Sequence, residues 1–434
     1  MKNEKILLAS PHMGGGEMKY IQSAFDTNWI APLGENVEGF ERDIRAYTGA
    51  ACSVATASGT AALHLALILS GVRRDDLVFC QSLTFSASAN PIAYCGAKAV
   101  FIDSERDTWN MDPAALKKAI TLYGAPKAVV LVHLYGTPAK TEEIARICED
   151  CGAVLIEDAA EALGSRIGER GCGTFGALSA LSFNGNKIIT TSGGGMLLCK
   201  KEEDARLALK LATQARENAP WYQHEMIGYN YRMSNICAGI GRGQMEVLPD
   251  RVTKKREIFE TYREAFRDLP VSWAKEESGS FANRWLSSML VDYGCDVTPS
   301  EIIETLAQNN IDSRHMWKLM HLQPVFADCP YVCMDEDVSA DLFARGVCLP
   351  SDTKMTAEDQ QRIIEIIKEL FYCTVTFLNA FLISCFPCLL FCSCLPCCSS
   401  SQCSARSKCT AIRSLSSRGR ARTKRFSSCS SSVP

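Results

Sequence analysis

The sequence Ser182-Phe183-Asn184-Gly185-Asn186-Lys187 continues through Ile188-Ile189-Thr190-Thr191 into Ser192-Gly193-Gly194-Gly195 and connects two apolar runs, 177–183 and 196–199. Both runs are too short for helices and are typical of buried strands. The pattern predicts a lysine in an irregular loop beside hydroxyl groups and glycines. A buried ammonium is costly, whereas a desolvated amine is a nucleophile toward carbonyl carbons. One lysine among 46 basic residues is by itself more often a solvated charge. The interpretation of Lys187 therefore depends on the other motifs in the chain.

Strand and helix patterns alternate around this loop. Short β-rich runs occur at residues 77–80, 99–102, 128–132 and 153–156, and helical patterns occur between them at 112–123 and 141–150. This alternation is typical of an α/β fold with a largely parallel sheet. Since chemistry in such sheets collects beyond the carboxyl ends of the strands, we expect the site residues there.

A possible anion site precedes the first apolar helix. Ser58-Gly59-Thr60 opens the almost wholly apolar stretch 61–69, which predicts a buried helix. The start of a helix leaves backbone N–H groups unpaired, and this suits a phosphate group. If the motif stood alone, an ordinary N-cap would be the better explanation of these three residues. We expect His64, within this helix, to be a core histidine with a satisfied ring.

Two neighbouring acids, Glu157 and Asp158, follow the strand at 153–156, and Glu161 lies three residues further on. A carboxylate at the end of a buried strand is costly unless something pairs with it. Asp158 would be satisfied by a cationic heterocycle, and a helix N-cap explains it about as well. The N-cap interpretation does not account for Glu161.

Charge and cysteine content both change near residue 371. Residues 372–434 contain eight basic residues and no acid, so residues 1–371 hold 38 basic and 49 acidic residues, a net charge of −11. That balance argues against nucleic-acid binding. Ten of the 22 cysteines crowd into the last 63 residues, and the other 12 are scattered. Scattered cysteines are typical of a reducing compartment, and the N-terminus lacks a long apolar signal. We expect the main body in the cytoplasm.

The chain divides into three predicted parts. Residues 1–250 form a large domain, 251–371 a smaller α/β domain against which the N-terminal segment could pack, and 372–434 a tail. The uncharged run 371–398 is long enough to span a bilayer. Three interpretations of the tail stay open: a read-through extension, a membrane-associated or acylated tail, and a cysteine metal site, which its spacings favour least. We expect no metal elsewhere.

Several motifs together resemble the DegT/StrS family of pyridoxal-phosphate sugar aminotransferases. The resemblance rests on residues 182–187 with 193–195, 157–160, 58–60 and 228–232, and it covers roughly residues 6–371. Further stretches are similar to those members that make the 4-amino precursor of di-N-acetylbacillosamine. These stretches are residues 11–15, 29–35, 133–136, 192–195 and 214–218.

The resemblance implies a fold-type I aminotransferase, like aspartate aminotransferase, with a large mixed-sheet domain and a smaller C-terminal α/β domain. It implies a homodimer with shared active sites and pyridoxal 5'-phosphate as cofactor, with pyridoxamine phosphate as the alternate form. Lys187 would bond to the cofactor and later move a proton. Asp158 would pair with the ring nitrogen. The remaining implied contacts are Phe85 on the ring face, Glu161 near the ring hydroxyl, Ser58, Gly59, Thr60 and Ser182 at the phosphate, and Asn230 from the partner subunit.

The implied reaction moves an amino group from L-glutamate to C4 of a UDP-linked 4-keto-6-deoxy-N-acetylhexosamine. Weaker candidates for the nucleotide-sugar side are Trp29, Arg232, Arg314, Trp317 and His321, because arginine suits a diphosphate and aromatic rings stack on uracil. Core packing explains Trp317 equally well. The alternatives are the same chemistry on a dTDP- or GDP-linked keto-sugar, and a membrane-tethered binding homologue without turnover.

Overall fold

The computed structural model describes the backbone of residues 4–385 and the side chains of residues 4–372. The predictions for the tail therefore lie outside the described residues, apart from a helical backbone up to residue 385. In the described part of the chain, no helix has the length and apolar character needed to cross a membrane.

Helices and strands alternate between residues 52 and 158. The helices are α1 Glu17–Asp26, α2 Glu35–Thr48, α3 Gly59–Leu69, α4 Asn90–Tyr94, α5 Pro113–Tyr123, α6 Thr141–Cys151, α7 Glu202–Ala212, α8 Asn235–Met245, α9 Leu248–Ala265, α10 Pro299–Gln308, α11 Val338–Arg345 and α12 Ala357–Cys385. The strands are β1 Cys52–Thr56, β2 Leu77–Gln81, β3 Lys98–Ile102, β4 Ala128–Val132, β5 Val154–Asp158, β6 Arg166–Ile167, β7 Arg170–Gly171, β8 Leu178–Ser182, β9 Gly195–Cys199, β10 Val271–Trp273, β11 Ser280–Phe281, β12 Ser287–Val291, β13 Arg314–His315, β14 Tyr331–Val332 and β15 Gly346–Leu349.

The main sheet has eight strands in the order β1-β9-β8-β5-β4-β2-β3-β14. Strands β8, β5, β4, β2, β3 and β14 pair in parallel, and β9 runs antiparallel between β1 and β8. The predicted α/β architecture with a largely parallel sheet is therefore confirmed. Its strands are mostly Val, Ile, Leu and Ala because helices cover both faces.

Register brings the ends of several strands to one edge. Val132 of β4 lies opposite Asp158 of β5, and Asp158 lies opposite Ala180 of β8. The row continues across the antiparallel strand, where Gly195 faces both Ser182 and Thr56. The segments that leave these strands therefore meet beyond the same edge.

A second core surrounds an antiparallel sheet in the order β10-β12-β15-β13. Helices α9, α10 and α12 cover it with Tyr262, Ile302 and Ile363, all buried. Ile6 joins this core and forms a bridge with Ile311. The chain up to Phe377 forms one compact unit, so the domain boundary near residue 250 stays a prediction.

The capping interactions expected at the starts of α10 and α3 are present in the structure. Thr298 and Glu301 form the capping box predicted at the start of α10, with proline at the first helical position. The Ser58 hydroxyl caps α3 by accepting a hydrogen bond from the Ala61 N–H at 3.0 Å. His64, inside α3, is buried and its Nδ1 lies 3.2 Å from the Tyr231 hydroxyl, as expected for a satisfied core histidine.

Candidate active site

A cavity of about 460 Å³ opens at the edge where the strands of the main sheet end. Ten residues predicted from the sequence line it: Ser58, Gly59, Thr60, Phe85, Asp158, Glu161, Ser182, Lys187, Arg314 and Trp317. A larger cavity of about 650 Å³ lies beside β3 and α4, but none of the predicted site residues lines it. The chemistry therefore belongs to the smaller cavity.

The start of α3 forms one wall. The N–H groups of Gly59 and Thr60 have no hydrogen-bond partner among the described residues, and they lie where the helix presents partial positive charge. Strand β9 approaches closely because Gly195 has no side chain. A Cβ at that position would lie 2.5 Å from the Gly59 nitrogen. The Ser182 hydroxyl lines the same part of the cavity. This wall suits a phosphate group.

Asp158 also lines this cavity. It is 5% exposed, and its Oδ2 accepts a hydrogen bond from the Ser88 hydroxyl at 2.6 Å. Its Oδ1 accepts one from the Ala160 N–H at 3.1 Å. No lysine, arginine or histidine of the described residues pairs with this carboxylate. A buried acid without a cation is costly, so the site fits a cationic ring nitrogen.

The preceding acid, Glu157, is satisfied by the protein. Its carboxylate accepts hydrogen bonds from the N–H groups of Gly173, Phe175 and Gly176 and from His133 Nε2 at 2.9 Å. Burial alone would raise the pKa of Glu157, but these hydrogen bonds, that of His133 first, hold the pKa below its ordinary range. Glu157 does not line the cavity and has a structural role.

Lys187 lines the same cavity. Its Nζ is 3.7 Å from Glu161 Oε1 and 4.1 Å from the centre of the Trp285 ring. Glu161 Oε2 accepts a hydrogen bond from the Tyr135 N–H at 2.7 Å. Burial raises the pKa of Glu161, and the charge of Lys187 counteracts part of that rise. The lysine amine is thus inside the cavity and next to a carboxyl group that can hold a proton.

Aromatic side chains complete the wall. Phe85 is 51% exposed and its ring centre lies 5.2 Å from that of Trp317. Tyr135 stacks between Trp317 and Trp285, at 6.1 Å and 6.4 Å. Phe85 lines the cavity and is half exposed, so its ring face is available to stack on a planar ring. Trp317 therefore both packs and faces the cavity.

Four predicted residues do not reach this cavity in the described protomer. Arg232 is buried, pairs with Glu41 and donates to the Ala55 carbonyl at 3.1 Å. His321 Nδ1 lies 2.8 Å from the Ser82 hydroxyl, and its ring stacks on Tyr331. The two others, Trp29 and Asn230, are exposed on the surface. Their roles as substrate or cofactor contacts stay predictions.

The parts present fit pyridoxal phosphate. The helix start and Ser182 suit its phosphate, Asp158 its ring nitrogen, Phe85 its ring face, and Lys187 its aldehyde. Together with the mixed eight-stranded sheet, this site defines a fold-type I pyridoxal-phosphate aminotransferase.

Comparison with known proteins identifies the family. The model of the DegT/DnrJ/EryC1/StrS aminotransferase family matches residues 11–368, and the chain belongs to this family. The putative pyridoxal phosphate-dependent aminotransferase EpsN of Bacillus subtilis (strain 168) is 48% identical, over 85% of this chain and 97% of the relative. GDP-perosamine synthase of Escherichia coli O157:H7 is 34% identical, over 84% and 98%. The crystal structure of a DegT DnrJ EryC1 StrS aminotransferase from Brucella abortus matches with a TM-score of 0.76 at 27% identity, covering 82% of this chain and 95% of that one.

Sequence reasoning missed Trp285 and Ser88. Trp285 precedes strand β12 and is 1% exposed, so it resembles any core tryptophan in the sequence. Ser88 lies in the turn after β2, three residues beyond Phe85, among small residues without a pattern. The only available signal was their position after strands or before a buried one, which many other residues share.

Proposed function

We propose that this enzyme transfers an amino group from L-glutamate to C4 of a UDP-linked 4-keto-6-deoxy-N-acetylhexosamine, which gives UDP-4-amino-4,6-dideoxy-N-acetylglucosamine for a bacillosamine-type glycan. The presence in one cavity of Lys187 and of Asp158, which has no ion-pair partner among the described residues, supports the amino transfer most strongly. The UDP-linked sugar is supported by the stretches at residues 11–15, 29–35 and 214–218. The cytoplasmic location is part of this proposal, and free thiols at the 12 cysteines of residues 4–372 are consistent with it.

The cofactor, when bound, would act as the electron sink that stabilises charge on the reacting carbon. Asp158 would hold the proton on the ring nitrogen, because an anion beside a buried cation favours the charged form. The α3 wall would bind the phosphate and orient the ring against Phe85. Lys187 Nζ would move the proton at the reacting carbon, with Glu161 at 3.7 Å as its nearest acid.

We place Arg314 and Trp317 on the substrate side. Arg314 is exposed, lines the cavity and has no ion-pair partner among the described residues. An arginine with free donors suits a diphosphate through its fork of N–H groups. Trp29, Arg232 and His321 do not line the cavity of the described protomer, and their contact with the substrate stays a prediction.

The proposal includes a homodimer. Trp29, Ile30 and Leu33 are each about half exposed, and Ile227, near Asn230, is 83% exposed. Apolar surface of this kind is typical of a protein interface. A second copy that covers it would bring Asn230 to the partner's cavity. Light scattering should give twice the monomer mass, and a monomer with full activity would contradict this part.

A GDP-linked keto-sugar is the second candidate acceptor, because a GDP-perosamine synthase is 34% identical to this chain. The experiment is to incubate the holoenzyme with glutamate and a panel of UDP-, dTDP- and GDP-linked 4-keto sugars and to measure 2-oxoglutarate. Turnover with the UDP-linked sugar supports the proposal. Turnover with only a dTDP- or GDP-linked sugar would replace the substrate while leaving the chemistry in place. Lack of turnover in a protein unable to bind pyridoxal phosphate would favour the non-catalytic homologue.

A further inference from the structure

The Trp285 indole contacts the catalytic loop in two ways. Its ring centre lies 4.1 Å from Lys187 Nζ, and its Nε1–H donates a hydrogen bond to the carbonyl of Asn186 at 2.8 Å. Asn186 is the residue directly before the lysine. The Trp285 side chain therefore contacts both the Lys187 amine and the backbone next to it.

The indole itself is held rigidly. The Trp285 backbone N–H donates to Asn283 Oδ1 at 2.8 Å, and Asn283 Nδ2 donates to the carbonyls of Glu161 and Leu163, each at 2.9 Å. Gly136 leaves room for this amide, since a Cβ there would lie 1.8 Å from Asn283 Oδ1. The network ties the Trp285 backbone to the turn that carries Glu161. The hydrogen bond from Nε1 to the Asn186 carbonyl then orients the ring.

The ammonium of Lys187 has few other partners. Glu161 Oε1, at 3.7 Å, is beyond hydrogen-bond distance, and no other carboxylate of the described residues lies within 4.0 Å of Nζ. An aromatic face attracts a cation, most strongly when the ring is tryptophan and water is excluded. Trp285 is 1% exposed and meets the second condition.

We propose that Trp285 is a positioning residue that holds the Lys187 ammonium on its ring face whenever the amine is not bonded to the cofactor. The inference rests on Lys187 being the lysine that bonds the cofactor. It does not depend on which sugar is the acceptor. The ring keeps the displaced amine beside Glu161 and prevents it from turning out of the cavity.

The test uses the full-length apoprotein with Lys187→Ala, which leaves the ring face free, and methylammonium as the probe. Ligand-observed NMR gives the affinity for methylammonium, with methanol as the neutral comparison. Adding Trp285→Leu should weaken methylammonium binding about 2- to 30-fold, the range of a cation–π contact. Adding Trp285→Phe should weaken it less, because a smaller ring face remains. Trp273→Phe is the matched control and should change nothing, since Trp273 packs on Phe259 and does not line the cavity.

Equal affinity in the Lys187→Ala protein with and without either Trp285 change would overturn the inference. So would a loss of binding on Glu161→Gln alone, which would show that the carboxyl group holds the cation. If Trp285→Leu does not fold, as judged by circular dichroism, the comparison between tryptophan and phenylalanine decides. Failure of sugar turnover would leave these results unchanged, because neither sugar nor cofactor is present.

Discussion

The two neighbouring acids at the end of β5 differ in their partners on the two sides of the main sheet. Glu157 and Asp158 are both buried, and they point to opposite faces because side chains alternate along a strand. Glu157 accepts four hydrogen bonds, whereas Asp158 accepts two and lines the cavity with no cationic side chain of residues 4–372 paired to it. The difference separates an acid that holds the fold together from one that awaits a ligand. Burial alone does not distinguish them.

The largest expected effect on activity is that of Asp158→Asn. A neutral amide cannot stabilise a protonated ring nitrogen, so we expect kcat to fall by about 10²- to 10³-fold, as when a preorganised electrostatic partner is removed. The free energy of unfolding of the apoprotein should change by at most about 1 kcal/mol, since one hydroxyl bond is affected. Steady-state kinetics and urea unfolding measure the two. Full activity in the Asp158→Asn enzyme would remove the contrast between the two acids.

The opposite pattern is expected for Glu157→Gln. The glutamine side chain has one acceptor oxygen and cannot accept all the hydrogen bonds that Glu157 accepts. At least one buried N–H group therefore loses its partner. The free energy of unfolding should fall by about 3 kcal/mol. The variant that folds should still bind pyridoxal phosphate. Urea unfolding beside Asp158→Asn, its matched control, measures the difference. Equal stability of the two variants would show that the hydrogen bonds of Glu157 do not matter to the fold.

Ser88→Ala tests whether the hydrogen bond from Ser88 orients the Asp158 carboxylate. The Ser88 hydroxyl is 2.6 Å from Asp158 Oδ2 and is itself hydrogen-bonded to Thr84 Oγ1 at 2.7 Å. A lost hydrogen bond to a charged group costs about 1.5 kcal/mol, so kcat should fall by about 10-fold. Ser86→Ala, in the same turn but away from the cavity, is the control. Equal kcat for the two alanine variants would mean that Ser88 does not orient the acid.

The smallest effect is a pH dependence from Glu161. Burial raises its pKa in the folded chain, so the folded state keeps a proton that the unfolded state loses above the ordinary value of 4.5. The contribution to stability is therefore full below that value and is lost as the pH rises through the folded-state pKa. Glu161→Gln should remove this loss. The free energy of unfolding of the variant should thus gain on wild type as the pH rises, and parallel curves would contradict the assignment.

Much of the main sheet, and the cavity wall formed by the start of α3, could be predicted from the sequence. Apolar runs of four to seven residues gave β2, β4, β5 and β8 within about two residues, because buried parallel strands carry little else. Gly59 and Lys187 were identifiable because helix starts and glycine-rich loops have local signatures. These features depend on neighbours along the chain.

Features that depend on distant neighbours could not be predicted. Trp285 lies 98 positions beyond Lys187 and meets it only through the tertiary fold. The ion pair of Arg232 with Glu41, far earlier in the chain, is likewise invisible in the sequence. The roles of Glu157 and Asp158 also look alike in sequence, because their partners come from other strands and turns.

The measurement that tests the central claim most directly is the absorbance spectrum of the full-length protein titrated with pyridoxal phosphate. The account predicts a yellow protein with the band of a lysine-bound cofactor, lost in Lys187→Ala and retained in Glu157→Gln. A protein that stays colourless, or a band that persists without Lys187, would contradict it.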